Sequence, residues 1–472
     1  MKKRLFMFAT AALMLAACSN DGEVAVNDGA AQLQSGSGAV AFDTYTSSAT
    51  KAGYAGIMTT ATLQSEGFGV FAQYSDGTGG GDGNYSKDED PVANFMWNQE
   101  VSYSAAAWTY APLKYWPNET YKDSETLGLG ATPISQHIDK LSFFAYAPYV
   151  KELPSANGNG KLDVAGDETD QYNGTPSITA SYIDPTREGG VEAVIANSAT
   201  GNDPWVRYTV ATKPSKSVDL LWGVAPSGGL SYTNVSGGTT TVLEGMPLMN
   251  LIKPSKDQKI KFLFQHALAR LGLTVVAAVD QIAAGGDLDD QTVIAVESVN
   301  ITEVTATKQL KTSGALNLKN TTAFQSLWSD TDGDINFTVS NVSGGELNPN
   351  IAYTDANTTW TAFNGNPAKG VNNVEKPVID NSKYFMVIPN HANTTLQVVI
   401  TYYVITKDAK LNGSYSEVKN VITKNVTIPT LTNNKAYNLK LILGMTSVKL
   451  DAEVADWEVD GSNEVNLPKN KE

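Results

Sequence analysis

Apolar and polar residues alternate with a period of two along most of the chain. Val40-Ala41-Phe42, Phe68-Gly69-Val70-Phe71, Leu141-Ser142-Phe143, Val206-Arg207-Tyr208 and Val218-Asp219-Leu220-Leu221-Trp222 are short runs of this kind, rich in aromatic and β-branched residues. Successive strand side chains point to opposite faces, so each run predicts a half-buried strand. The pattern returns over 260–264, 271–279, 293–304, 335–339, 384–388, 396–405, 418–428 and 437–443, with glycine, asparagine and proline clusters between the runs. Many short punctuated strands predict an all-β chain of antiparallel sandwiches. Nothing carries a long 3.6-residue period; one helical turn is expected near 322–328.

The amino terminus breaks this pattern. Met1-Lys2-Lys3-Arg4 is basic, and residues 5–15 form an apolar run far shorter than the roughly 20 residues a helix needs to cross a bilayer. That is the form of a secretory signal peptide, residues 1–17. Leu15-Ala16-Ala17-Cys18 follows and holds the only cysteine of the chain. It resembles the lipobox of bacterial lipoproteins, in which the cysteine is lipidated and becomes the mature amino terminus. Cys18 is therefore expected to carry an acyl (palmitate-type) anchor to the outer membrane, and the acidic Ser19-Asn20-Asp21-Gly22-Glu23 fits export to the cell surface. Residues 19–38 are small and polar and read as a flexible tether.

Charge and composition narrow the partners. Loss of the leader removes three basic residues, leaving 31 basic against 49 acidic side chains, a formal −18 where the whole chain has −15. Nucleic acid is thereby disfavoured. With 42% hydrophobic residues in 472 the chain can bury a large core, and a division is expected at 250/251, in "MPLMNLIKPSK". The expected organisation is 18–51 as lipidated tether and first strand, 52–250 as one β-sandwich and 251–472 as a second. Cys18 has no partner for a disulfide.

Candidate chemistry is sparse. The three histidines, His137, His266 and His391, lie far apart, and His266 reads as structural. The chain has no Gly-x-Ser-x-Gly, His-Glu-x-x-His or Cys-x-x-Cys. No enzymatic activity and no cofactor are expected. Asp330, Asp332 and Asp334 alternate in "SDTDGDIN" and could converge on calcium, but the EF-hand pattern fails, and a solvated turn is the other reading. The cluster "WTYAPLKYWPN" either packs the edge of a sandwich or offers Trp108, Tyr110, Tyr115 and Trp116 as a sugar-stacking platform.

The blocks "FGVFAQY", "WTYAPLKYWPN", "LSFFAYAPY", "DLLWGVA", "KFLFQHALARLGLTV", "YFMVIP" and "AEVADWEV" run in order from about residue 39 to the end. Together with the lipobox they resemble the fimbrillins, the subunits of Bacteroidales type V pili, particularly their Mfa-like branch. The resemblance implies two transthyretin-like β-sandwiches in tandem. It also implies a polymerisation cycle in which an extracellular trypsin-like protease cuts beyond the first strand and a strand from another pilin subunit fills the open groove.

Candidate parts for that cycle are present. Residues 39–45 give a removable strand with Val40 and Phe42 on one face. Lys51 is the first basic residue after Arg4, so a protease requiring a basic side chain cuts between Lys51 and Ala52; the other reading is a surface lysine in a loop. At the carboxyl end 448–454 alternates strictly, and residues 448–457 either complete their own sheet or join the donor. Residues 458–467, with Val459, Val465 and Leu467, are expected to be the donor strand. The implied role is a structural or adhesive subunit of a surface pilus that meets other subunits and a host glycan or protein receptor. The competing role is a surface lipoprotein that captures glycans.

Overall fold

The computed structural model of the protein describes residues 39–46, 60–75, 84–85, 93–116, 139–150, 190–195, 204–226, 228–233, 238–254, 258–278, 291–306, 308–319, 328–332, 335–342, 345–354, 370–379, 383–389, 392–445 and 447–456. The helical turn expected near 322–328 lies outside them, except for Trp328. Strands dominate, as the period-two runs predict. In chain order they begin with β1 Phe42–Thr46, β2 Phe68–Ser75, β3 Met96–Ser104, β4 Ala107–Thr109, β5 Lys140–Ala147 and β6 Gly190–Ile195. Next come β7 Pro204–Thr209, β8 Leu221–Val224, β9 Leu230–Thr233, β10 Thr239–Val242, β11 Leu248–Ile252 and β12 Ile260–His266. The series continues with β13 Ala269–Ala277, β14 Thr292–Glu303, β15 Ser313–Asn317, β16 Trp328–Asp332, β17 Phe337–Ser340 and β18 Lys376–Pro377. It ends with β19 Phe385–Val387, β20 Thr394–Lys407, β21 Tyr415–Ile428, β22 Lys435–Leu443 and β23 Val448–Asp456.

An eight-stranded sheet runs β1-β12-β8-β5-β2-β3-β4, with β11 also on β5. Alternate residues of β5 enter different cores. Leu141, Phe143 and Ala145 join Phe68, Val70 and Phe262, whereas Phe144 and Tyr146 join Trp222, Val224 and the residues of the second half. This two-sided burial is why "KLSFFAYA" reads as one apolar run rather than a clean alternation. Gly69 sits where a side chain would strike the Tyr146 ring, with Tyr146 Cε1 2.3 Å from an ideal Cβ.

The second half builds two more sheets, β18-β13-β22-β23, with β19 also on β13, and β17-β14-β20-β21. Another four-stranded sheet, β16-β15-β7-β6, joins residues 190–209 to 313–332, and β9 pairs with β10. One strand spans the expected 250/251 division and another pairs back across it. Leu248–Ile252 pairs with β5, and Ile260–His266, grouped by sequence with 251–472, pairs with β8 and β1. The chain changes sheet at Ala267–Leu268. The alternation in "IKFLFQH", buried at every second residue, identifies a half-buried strand but does not say which sheet takes it.

A short helix, α1 Thr60–Glu66, precedes β2 and buries Leu63. Gly67 closes it at φ +71, its N–H donating to Leu63 C=O at 2.9 Å. A side chain there would be strained and would meet the Val101 carbonyl at 2.8 Å.

Candidate strand-exchange seam

β1 is the outermost strand of the eight-stranded sheet and runs parallel to β12, with Phe42 opposite Ile260 and Thr46 opposite Phe264. The sheet curls so that β1 also lies against β4, the strand at its other end. β1 thus fills a seam between β12 and the segment that follows β4. Val40 is 0% and Phe42 3% exposed. The Phe42 ring sits among those of Tyr110 at 5.5 Å, Phe143 at 5.9 Å, Phe262 at 6.0 Å and Phe68 at 6.2 Å between centroids. Gly223 on β8 leaves room for Phe262, whose Cδ1 would be 3.1 Å from an added Cβ.

Main-chain bonds hold the strand on both flanks. The Ile260 N–H donates to Ala41 C=O at 2.8 Å, and the Val40 N–H donates to Lys114 C=O at 2.9 Å. The Tyr110 hydroxyl donates to Val40 C=O at 2.7 Å, and Ala39 forms an antiparallel bridge with Tyr115. Burial pushes the Tyr110 hydroxyl up to about 12, the Lys114 backbone bond opposing it. The hydroxyl therefore keeps its hydrogen throughout the neutral range.

Of the single residues expected to serve the strand-exchange cycle, Val40 and Phe42 fall among the described ones. Cys18, Lys51, Ala52, Val459, Val465 and Leu467 lie outside them. At the carboxyl end, β23 is the outer strand of its sheet and pairs with β22 over nine positions, from Val448↔Leu443 to Asp456↔Lys435. Sequence reading missed Tyr110 and Lys114 as partners of the first strand. The signal was present in the tyrosine inside "WTYAPLKYW", but alternation does not reveal which main-chain group a hydroxyl meets.

The sugar platform is corrected. Trp108, Tyr110 and Trp116 are core residues, 7%, 7% and 5% exposed, leaving Tyr115 at 53% as the one exposed ring of the four. Trp108 stacks edge-on against Phe68 at 4.9 Å, so burial of apolar area outweighs surface display here. His266 is buried, its Nδ1 2.7 Å from Asp219 Oδ2. Asp330 and Asp332 belong to β16, and Asp334 lies outside the described residues. Among the described residues no group of three or more His, Cys, Asp or Glu could hold a metal, and no helix is long and apolar enough to cross a membrane.

These observations define an all-β protein whose leading strand is an edge element plugging a ring-lined groove. Over 122 residues the chain is 29% identical to fimbrium subunit Fim1C of Phocaeicola vulgatus. That stretch covers 26% of this chain and 25% of the relative, so the match spans about a quarter of the relative's length. The fold is similar to that of a fimbrial protein from Bacteroides vulgatus, with a TM-score of 0.52 at 18% identity, covering 89% of this chain and 99% of the other. No family model matches the chain. The resemblance to the Bacteroidales fimbrillins carried by the sequence blocks stands on these two matches.

Proposed function

We propose that this chain is a structural and adhesive pilus subunit, of the repeating stalk kind, that polymerises by strand exchange. It is exported as a lipoprotein anchored through Cys18 to the outer membrane and displayed at the cell surface. A trypsin-like protease cuts between Lys51 and Ala52 and frees β1 together with the anchor. A strand from another subunit, carried by residues 458–467 of that subunit, fills the seam, and the two halves of the chain act as tandem sandwiches. The observation that carries this reading is the position of Phe42: an edge strand, next to the cleavable segment, whose side chain fills a pocket of four rings. With β1 gone, the outer backbone groups of β12 and an apolar slot face water, and both are costly until an alternating segment covers them.

Limited trypsin treatment of the purified protein, followed by amino-terminal sequencing and an unboiled denaturing gel, tests the reading. The trimmed chain is expected to begin at Ala52 and to form a ladder, and Lys51→Ala is expected to abolish both. Assembled material that begins near Cys18, or a ladder indifferent to Lys51→Ala, overturns it.

A further inference from the structure

The strand in the seam is held in two ways that ask different things of it. Phe42 is held by its side chain, in the ring pocket. Val40 is buried in the same core as Phe42, and its peptide groups are bonded as well: its N–H meets Lys114 C=O at 2.9 Å and its C=O meets the Tyr110 hydroxyl at 2.7 Å. The segment making these bonds is tied to itself, because the Lys114 N–H donates to the Tyr110 oxygen at 3.3 Å. The hydroxyl's one hydrogen has a second acceptor, Lys114 C=O at 3.2 Å, but Val40 is nearer. Tyr110 is 7% and Trp116 5% exposed, so both ends of the segment are rooted in the core while Leu113 and Tyr115 between them face solvent, 41% and 53% exposed.

We propose that residues 110–116 are a clasp that sets the register of whichever strand occupies the seam and delays departure of the chain's own strand after it is cut. The inference rests on the strand-exchange reading above. The clasp grips Ala39 and Val40 at the upstream end of the strand, whereas Lys51 lies downstream of Thr46. Cleavage at Lys51 therefore breaks none of the clasp's bonds, and the severed strand stays until the clasp lets go. The clasp's hydrogen bonds go to peptide groups, which any incoming strand also carries, so they serve it equally. That defines the partner chemically: an extended segment with an apolar, non-proline residue at the Val40 position, since that side chain is buried and an N–H is required, and a large apolar or aromatic residue two positions later. Tyr110 is a positioning residue in this scheme.

The test uses the full chain, unlipidated, with a fluorophore on Cys18. After limited trypsin treatment, loss of the labelled fragment is followed by anisotropy, with the synthetic peptide Ala-Val-Ala-Phe-Asp-Thr-Tyr-Thr (residues 39–46) in excess. Tyr110→Phe keeps the ring and removes one hydrogen bond, so the fragment is expected to leave about three- to tenfold faster and the peptide to bind more weakly by a similar factor. The same peptide N-methylated at Val40 is expected to bind the trimmed wild-type protein at least about tenfold more weakly, a loss that a merely structural tyrosine would not produce. If wild-type and Tyr110→Phe proteins release the fragment and bind both peptides alike, the clasp is refuted while strand exchange survives. If the wild-type fragment never leaves and no peptide is taken up, the exchange reading fails and the clasp with it.

Discussion

Phe42 fastens the leading strand to the body of the protein through its side chain. Its ring contacts four others and is almost wholly buried, in a strand whose second flank, among the described residues, is bonded at its upstream end. Truncating a buried phenylalanine costs about 3–5 kcal/mol through lost transfer energy and the cavity left behind. Phe42→Ala is therefore expected to lower the urea stability of the uncut protein by that amount; a loss under about 1 kcal/mol would show that the pocket does not hold the strand. Tyr110 gives a second residue-scale expectation, now in pH. Its folded-state value of about 12 lies above the ordinary 10, so between these values the unfolded chain has lost a proton the folded chain keeps. Its contribution is full below pH 10 and is lost as pH rises through 12. Urea midpoints measured from pH 9 to 12 are expected to fall less steeply in Tyr110→Phe than in the wild type, while Tyr208, also raised by burial, contributes equally to both. Parallel curves would remove the buried hydroxyl from the account.

At the scale of elements, the two outer strands of the chain differ in what depends on them. β1 pairs over five positions with one neighbour, whereas β23 pairs over nine with β22, and Val448, Leu450 and Ala452 lie against the main core. Removing 448–472 is thus expected to uncover Leu439 and Leu441, both 0% exposed, and to yield an insoluble or unfolded product. A soluble monomer with unchanged circular dichroism would mean β23 is dispensable to its own sheet. The same contrast explains what could be read from sequence. β12 and β22 alternate cleanly because one face of each is buried, and their runs are plain in "IKFLFQH" and "KAYNLKLIL". β3 escaped notice because its pairing with β2 shifts register between Val70 and Ala72 and Asn98 takes a positive φ, which break the period. α1 spans seven residues, without an acidic first turn or a basic last one, too short for a helical period to emerge; only Gly67 marks its end. The site was half legible: Val40 and Phe42 follow from alternation, but the clasp depends on which loop a rolled sheet brings beside them.

For the whole molecule, the decisive feature is that the eight-stranded sheet lies between two cores. β12 pairs with β8, and β8 with β5, without any help from β1, so loss of the leading strand is expected to open a groove in a sheet that stays assembled. This is what a subunit must do if it is to be cut and still accept a neighbour. β1 lies on that sheet, whereas β23 lies on another, so on the strand-exchange proposal one molecule would offer its acceptor and its donor at separate places, the arrangement of a head-to-tail contact. Removing Glu458–Glu472 spares every pairing of β23 and is expected to leave a folded monomer with an unaltered melting temperature. On the strand-exchange proposal that monomer, trimmed at Lys51, is expected to accept a strand but to have none to give. Mixed with wild-type protein it is expected to cap growing chains, so that gel ladders shorten in proportion to its share of the mixture. Ladders of unchanged length at a one-to-one ratio would place the donor strand elsewhere in the chain.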